Sequence, residues 1–439
     1  MNQILSRDYK KDFLYHGLPA IWHANQYLVF SPYAGKIAVL TVDELSREKT
    51  QNWLEKLHFF GQPHTARNNP EVIRLVLMTT SDCRLRCKYC YEHGGETCKI
   101  MDFTTAKTAI EFAYQAKKST AKAIDILFFG GEPTLNFDLI QNVVALVKKL
   151  PLKHKYFSIN TDGLLNFKQL DWMIKEKFFI QISCDGPSIV QNKLRPLKNG
   201  SSSSQLVEKN IKYLITKKSL FGIRATITSD NIKLTSLVNY FSSLGVKFLH
   251  FERVLVSGRA KCSLQSNDSQ YVKEFAQAIK LAAKKKVYLI TSPLMNLFSP
   301  ADYFCVQIGE GKFIVNTEGE MHLCYLDEVK DYAKVGEIKN SKVIFNYQQL
   351  RKISQLELSG DCQNCAYKFI CSGSCPADNF LATGTFSHIN SKICAVNQQI
   401  LHLSIVFLYQ QCLDGFKNKF FPILGKEILE REVFKYNKF

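Results

Sequence analysis

Three things are missing or scarce in this chain of 439 residues. No apolar run approaches the ~20 residues that a membrane span needs. The amino terminus, MNQILSRDYKKDF, has no apolar core of the kind a signal peptide carries. Acidic residues are outnumbered, with 39 Asp and Glu against 57 Lys and Arg. The first two absences predict a cytoplasmic protein with no membrane partner. The third leaves a formal charge of +18, which favours an acidic partner. Basic residues are scattered in short groups (Lys117–Lys118, Lys148–Lys149, Lys217–Lys218) rather than massed in one arm. There is no internal repeat beyond an alternation of strands and helices, and no low-complexity tract longer than NGSSSSQ (199–205).

Cysteine is plentiful, at fourteen residues. In a reducing compartment that number argues for metal or redox use rather than a disulfide framework. Where the cysteines fall follows the organisation of the chain. Residues 1–70 read as a small α+β unit: strand-like NQYLVFSP and GKIAVLTV around the turn YAG, then a helix with Leu45, Trp53, Leu54, Leu57 and Phe60 as its apolar stripe. GQPHTARNNP reads as a linker. From Val72 six strand-like runs, VIRLVLM, IDILFFG, KYFSIN, FFIQISCDG, FGIRATIT and FLHFERV, alternate with helical stretches. That alternation predicts a parallel sheet with right-handed crossovers, a partial barrel or a doubly wound sheet, over 71–290. Residues 291–400 carry short apolar pieces, glycines and seven cysteines, and 401–439 read as one or two amphipathic helices.

SDCRLRCKYCYE (81–92) places Cys83, Cys87 and Cys90 directly after the first parallel strand, where such sheets carry functional loops. Three thiolates can hold three irons of a [4Fe–4S] cube and leave the fourth open. A structural zinc site borrowing a distant fourth ligand is the other reading. The second strand ends in FFGGEPTL (128–135), where Gly130 and Gly131 admit a close backbone approach and Glu132 can accept from a ligand ammonium.

CxxxCxxC after strand one and GGEP after strand two resemble the radical S-adenosylmethionine (SAM) enzymes. In that family the open iron chelates the amino and carboxylate groups of SAM, and one electron releases a 5′-deoxyadenosyl radical that takes a hydrogen atom from substrate. The resemblance assigns Gly130, Gly131, Glu132, Pro133 and Asn160 (in SINTDGLL, with Asp162 where asparagine is commoner) to the cofactor. ISCDGP resembles the family's SLDGP strand end and puts Ser183 and Asp185 near the ribose and carboxylate. Tyr89 would face the base. Arg195 and Arg224 are both candidates to pair with the carboxylate. FERVLVSGRA (251–260) resembles the final strand, whose apolar residues pack on adenine.

Cys305, Cys324, then Cys362-x2-Cys365-x5-Cys371-x3-Cys375 and Cys394 resemble the SPASM extension of peptide-modifying members. That resemblance gives Cys362, Cys365, Cys371 and Cys394 to an outer auxiliary [4Fe–4S] cluster, and Cys305, Cys324 and Cys375 to an inner one with a non-cysteine or open fourth position. Zinc knuckles are the competing reading of such spacings. Three [4Fe–4S] clusters and SAM are therefore the expected cofactors. Cys98, Cys184, Cys262 and Cys412 are expected to be packing residues.

The expected fold class is α/β: a partial (β/α)6 TIM barrel with an N-terminal α+β, winged-helix-like peptide-recognition domain and a C-terminal Fe–S SPASM domain. The N-terminal unit resembles leader-recognition elements that add a peptide as a strand to an open sheet edge. The expected partners are a ribosomally synthesised precursor peptide with its leader, and a flavodoxin- or ferredoxin-type electron donor. The expected activity is an intramolecular cross-link, carbon–carbon as in streptide-type Lys–Trp cyclases. A thioether-forming maturase is the second reading and an anaerobic sulfatase maturase the third. Sulfatase maturases carry an aspartate directly after the cysteine matching Cys324; here Tyr325 stands there and Asp327 two further on, and either can take a proton. An RNA-modifying radical enzyme is the reading from another class, but no RNA-binding module with aromatic platforms is visible, so no nucleic-acid partner is expected.

Overall fold

A computed structural model describes residues 7–34, 36–63, 71–301, 312–326, 329–354 and 360–413. Its centre is an eleven-stranded sheet. β5 (Val72–Thr80), β6 (Ala123–Gly130), β7 (His154–Thr161), β8 (Phe179–Ser183), β9 (Phe221–Ile227), β10 (Phe248–Arg253) and β11 (Tyr288–Ile290) pair in chain order, every neighbour parallel. Helices cover the crossovers, among them Phe103–Lys117, Phe137–Lys148 and Asp268–Lys285. Near-continuous burial along VIRLVLMTT and AIDILFFG explains why these strands read as apolar runs instead of alternating ones. The six expected strands are present, and β11, only three residues in a lysine-rich surround, is a seventh.

The sheet does not stop at β5. β12 (Phe313–Val315) pairs parallel to β5, then β13 (Glu320–His322), β14 (Lys334–Lys339) and β15 (Lys342–Phe345) continue antiparallel. The cysteine-rich region is thus hydrogen-bonded into the same sheet as the parallel strands. Its helix Ser391–Leu413 crosses residue 400 without a break. Residues 401–408 are buried one after another, so this stretch of the helix is enclosed on all sides rather than amphipathic: the helix lies between Asp268–Lys285 and a second, N-terminal sheet.

That second sheet is a four-stranded antiparallel meander, β1 (Phe13–Tyr15), β2 (Leu18–His23), β3 (Gln26–Ser31) and β4 (Lys36–Leu40). Its last two strands match expectation; β1 and β2 are additional. The single expected helix is two, Val42–Leu45 and Glu48–Lys56, and its stripe divides, with Leu54 buried and Trp53 and Leu57 exposed. One face (Ala20, Val29, Ala38, Leu40) buries Leu54 and Phe59. The other (Ile21, Leu28, Phe30) joins the main core, with Phe30 edge-on to Phe298 at 5.8 Å. Asp12 pins this contact, accepting from Trp22 N (2.8 Å), from the Tyr367 hydroxyl and from His402 Nδ1 (2.8 Å).

Candidate functional site

The carboxyl ends of the parallel strands open on a cavity of about 650 Å³. The loop after β5 is held by its own backbone: Arg86 N donates to Pro196 O (2.8 Å), Lys88 N to Leu194 O (3.0 Å) and Lys198 N to Arg84 O (2.8 Å). This fastening turns Cys83, Cys87 and Cys90 to the cavity wall. Burial pushes the Cys87 thiol up to about 12 and raises Cys83 further, so these sulfurs favour their thiolate form only when a cation replaces the proton.

Gly130 and Gly131 also line the cavity, and the structure shows why neither can carry a side chain. A Cβ on Gly130 would stand 2.3 Å from Thr80 O, and one on Gly131 2.3 Å from Asp82 O. Gly130 has φ +124°, a region for glycine alone. Gly131 N donates to Thr80 O (2.8 Å) and Glu132 N to Asp82 O (2.7 Å). The close approach is therefore to the base of the cysteine loop.

Glu132, Pro133 and Asp185 do not line the cavity. Glu132 is fully buried and accepts from Thr134 N (3.1 Å), Thr161 Oγ1 (2.9 Å) and Asp162 N (2.6 Å), with Arg84 3.5 Å away. Burial and the adjacent Glu132 carboxylate push Asp162 up, while Arg84 opposes them. Asp185, also fully buried, accepts from Arg195 Nε (3.0 Å), Thr226 N (2.9 Å) and the Tyr89 hydroxyl. Arg195 lies over the Tyr89 ring at 5.2 Å, so one ring face is taken by a guanidinium.

Asn160, Ser183, Tyr89, Arg195 and Arg224 all reach the cavity. The two arginines differ: Arg195 is neutralised by Asp185, whereas Arg224 Nε is buried with no hydrogen-bond partner among the described residues. Val254 and Leu255 supply the apolar patch expected at the end of β10. Tyr325 stacks on Phe129 (5.1 Å) and Tyr91 (5.6 Å). Asp327 and Cys305 lie outside the described residues.

Cys324 and Cys375 line the same cavity as the first three cysteines. Cys362, Cys365, Cys371 and Cys394 surround a separate, small one of about 20 Å³. Ser374 belongs to both walls, and Asn397 Nδ2 donates to Ser374 Oγ (3.0 Å) and approaches Cys371 Sγ (4.0 Å). Among the described residues no three His, Cys, Asp or Glu side chains converge closely enough for one metal ion. Of the remaining cysteines, Cys184 is buried as expected; Cys98 and Cys262 are exposed, a correction to their reading as packing residues. The side chain of Cys412 lies outside the described part. Among the described residues no helix is long and apolar enough to cross a membrane.

Sequence reasoning missed Glu252, Arg253, Asp378 and Asn397, all on the cavity wall. The first two sat in FERVLV, where only apolar residues were read. The last two stand in helices whose facing partner no local pattern reveals.

Residues 77–225 match the Radical SAM superfamily. An uncharacterized protein of Methanocaldococcus jannaschii is 31% identical over 254 residues, 57% of this chain and 84% of that protein. The cysteine-type anaerobic sulfatase-maturating enzyme of Clostridium perfringens is 23% identical over 339 residues, 70% of this chain and 89% of the relative. In fold, anSMEcpe with bound AdoMet and Kp18Cys peptide superposes with a TM-score of 0.66 at 20% identity, covering 79% of this chain and all of that one. SuiB of Streptococcus suis bound to precursor peptide SuiA gives 0.57 at 15%, covering 84% and 96%. With CxxxCxxC and the two glycines of GGEP joined on one cavity wall, the chain belongs to the radical SAM superfamily.

Proposed function

We propose that the protein is a radical SAM maturase that installs an intramolecular cross-link in a ribosomally made precursor peptide, carbon–carbon of the Lys–Trp type before thioether. The seven parallel strands form the wall of a partial barrel, residues 291–400 a SPASM region, and the N-terminal meander the leader-binding unit. The observation carrying this reading is the shared cavity. Cys83, Cys87, Cys90, Cys324 and Cys375 line one space of about 650 Å³, within the ~300–1,000 Å³ range of ligand sites and large enough for a cofactor beside a side chain. Cys83, Cys87 and Cys90 hold a [4Fe–4S] cluster whose bound SAM supplies a carbon radical able to take a hydrogen atom. Arg224 supplies a donor for the SAM carboxylate, Val254 and Leu255 an apolar seat for adenine, and Tyr325 with Phe129 an aromatic wall that keeps water from the substrate.

Cys362, Cys365, Cys371 and Cys394 hold the outer auxiliary cluster, and Cys324 and Cys375 with Cys305 the inner one. A flavodoxin- or ferredoxin-type protein supplies electrons. The +18 charge suits an acidic leader, and the open edge of β4, beside exposed Val39 and Trp53, is where it adds as a strand.

Similarity to sulfatase-maturating enzymes favours a second reading, oxidation of a Cys or Ser to an aldehyde. Tyr325, standing where those enzymes place an aspartate, argues against it. Two probes separate the readings: the Kp18Cys peptide, and a peptide with an acidic leader and a Lys/Trp core. Each is incubated without oxygen with SAM, reductant and protein holding about twelve irons. Loss of two hydrogens located by fragmentation to a Lys–Trp bond supports the first reading; an aldehyde trapped by hydrazine supports the second. No 5′-deoxyadenosine with either probe refutes both.

A further inference from the structure

The cavity wall carries several titratable groups, and nearly all are already engaged. Asp268 is ion-paired with Arg253. Glu252 accepts from Ser292 N (3.1 Å) and the Ser292 hydroxyl and contacts His250 Nε2 (3.1 Å). These hydrogen bonds hold its carboxyl below the ordinary range against burial. Asp162 is bidentate to Arg84 at 3.1 Å. Glu92 lies two positions past Cys90, on the cysteine loop itself. Tyr271 shares a hydrogen bond with Thr291 (3.3 Å), and burial holds Tyr91 far above its usual value.

Asp378 differs from all of these. It sits in the first turn of the helix Pro376–Thr383, three residues past Cys375, and lines the cavity. One oxygen accepts from Asn390 Nδ2 (3.2 Å); the other has no hydrogen-bond partner among the described residues. Glu252 and Arg253 face it from β10 with opposite effects, Arg253 is shared with Asp268, and Lys392 lines the same cavity from the helix Ser391–Leu413. Burial exceeds the other influences and raises its carboxyl, towards the pH at which a proton acceptor works best.

We propose that Asp378 is the general base that accepts the proton leaving the peptide as the substrate radical is oxidised. This rests on the peptide-maturase reading, but it holds for cross-link and aldehyde alike. The first C–H hydrogen leaves as an atom and ends in 5′-deoxyadenosine. The carbon radical then bonds to its partner group, X–H in general terms, or becomes a carbonyl or thiocarbonyl. The X–H, C–H or O–H proton passes to Asp378 Oδ2, and the remaining electron passes to an oxidised auxiliary [4Fe–4S] cluster. The peptide has lost two hydrogens, one as atom and one as proton plus electron, and the balance closes.

The test uses reconstituted holoenzyme and the same two peptides. Asp378→Asn keeps the shape and the Asn390 contact but cannot take a proton. It is expected to bind peptide and form 5′-deoxyadenosine within about twofold of the parent while product falls about 100-fold or more. Asp378→Glu is expected to restore part of the product. The rise of parent activity with pH on the acid side is expected to vanish from the residual rate of Asp378→Asn. Independently of turnover, infrared difference titration of the protein without SAM or peptide is expected to show a carboxyl band titrating above the ordinary carboxylate range and absent from Asp378→Asn. Normal product from Asp378→Asn overturns the proposal, as does joint loss of product and 5′-deoxyadenosine with peptide binding intact, or absence of the titrating band. Failure of the parent to form 5′-deoxyadenosine overturns the maturase reading instead, and is told apart because the infrared band survives it.

Discussion

Asp12→Ala should loosen the N-terminal meander from the cysteine-rich region without touching the parallel sheet. The Asp12 side chain is 1% exposed and receives three donors, Trp22 N–H, His402 Nδ1 and the Tyr367 hydroxyl. Hydrogen bonds to a charged group contribute about 1.5–3 kcal/mol each. The carboxylate's own desolvation, several kcal/mol, offsets part of that sum, and breaking such a buried cluster from one side costs about 3–5 kcal/mol net. Asp12→Asn keeps an acceptor for Trp22 N–H and should cost about 1–2 kcal/mol. The chain has three tryptophans, and in a Trp172→Phe background the two that remain both belong to the N-terminal unit, Trp22 in β2 and Trp53 in the helix Glu48–Lys56. Guanidinium unfolding followed by their fluorescence should move to lower denaturant in the order parent, Asp12→Asn, Asp12→Ala. Tyr367 stands between Cys365 and Cys371 in the wall of the small cavity, so iron content should fall in the same order. A shift below about 0.5 kcal/mol for Asp12→Ala would mean that apolar packing of Ile21, Leu28 and Phe30 alone docks the unit, and the clamp argument would fail.

Arg195→Ala should lower thermal stability by roughly 3–5 kcal/mol because Asp185 is left buried and uncompensated, whereas Arg224→Ala should weaken SAM binding at unchanged melting temperature; equilibrium dialysis beside calorimetry reads both, and equal effects would remove the distinction. Lys117 is pushed down to about 8, by burial first and by the Arg74 charge second. Since its folded pKa lies below the unfolded one, the charged lysine opposes folding below pH 8, and that opposition fades as pH rises to about 10. The buried charge costs about 3 kcal/mol at pH 7, and Lys117→Met also loses the donation from Nζ to Val72 O (3.0 Å), about 1 kcal/mol, so the variant should gain about 2 kcal/mol at pH 7, less as alkali is added, and a pH-independent difference in urea midpoint would refute the assignment.

The parallel core was legible because both faces of its strands are covered, which turns each into an apolar run: Leu75, Val76 and Leu77 are all fully buried. The grouping of the cysteines was legible only in part: Cys83, Cys87 and Cys90 share one loop and Cys362, Cys365 and Cys371 one short stretch, whereas Cys324 and Cys375 reach the large cavity, and Cys394 the small one, through the fold. What lay hidden depends on contacts across long separations. The three-residue strand β12 pairs with β5 more than two hundred positions earlier, and nothing local in FIV announces it. Glu132 reads as a ligand group from its motif, yet Thr161 and Asp162 from the next strand claim its oxygens. Asp378 carries no spacing signal at all, since only the fold of the helix Ser391–Leu413 brings Asn390 against it.

The division of cysteines between two cavities follows from three residues. Cys371 ends the short helix Lys368–Cys371, and had that helix continued, Cys375 would lie four positions on and face the same way. Ser372, Gly373 and Ser374 instead take φ of +52°, +83° and +66°, turning the chain so that Cys371 meets the small cavity and Cys375 the large one. A left-handed serine costs roughly 1–2 kcal/mol. Ser372 Oγ offsets it by donating to Ala301 O (2.7 Å), and Ser374 Oγ by accepting from Asn397 (3.0 Å). Ser374→Gly removes the strain and the hydrogen bond together and should leave iron content and stability nearly unchanged. Ser374→Val, β-branched at a positive φ, should force the turn open and lower the iron bound per chain on reconstitution. Iron content equal to the parent's in Ser374→Val would show that the turn does not set which cavity each cysteine serves.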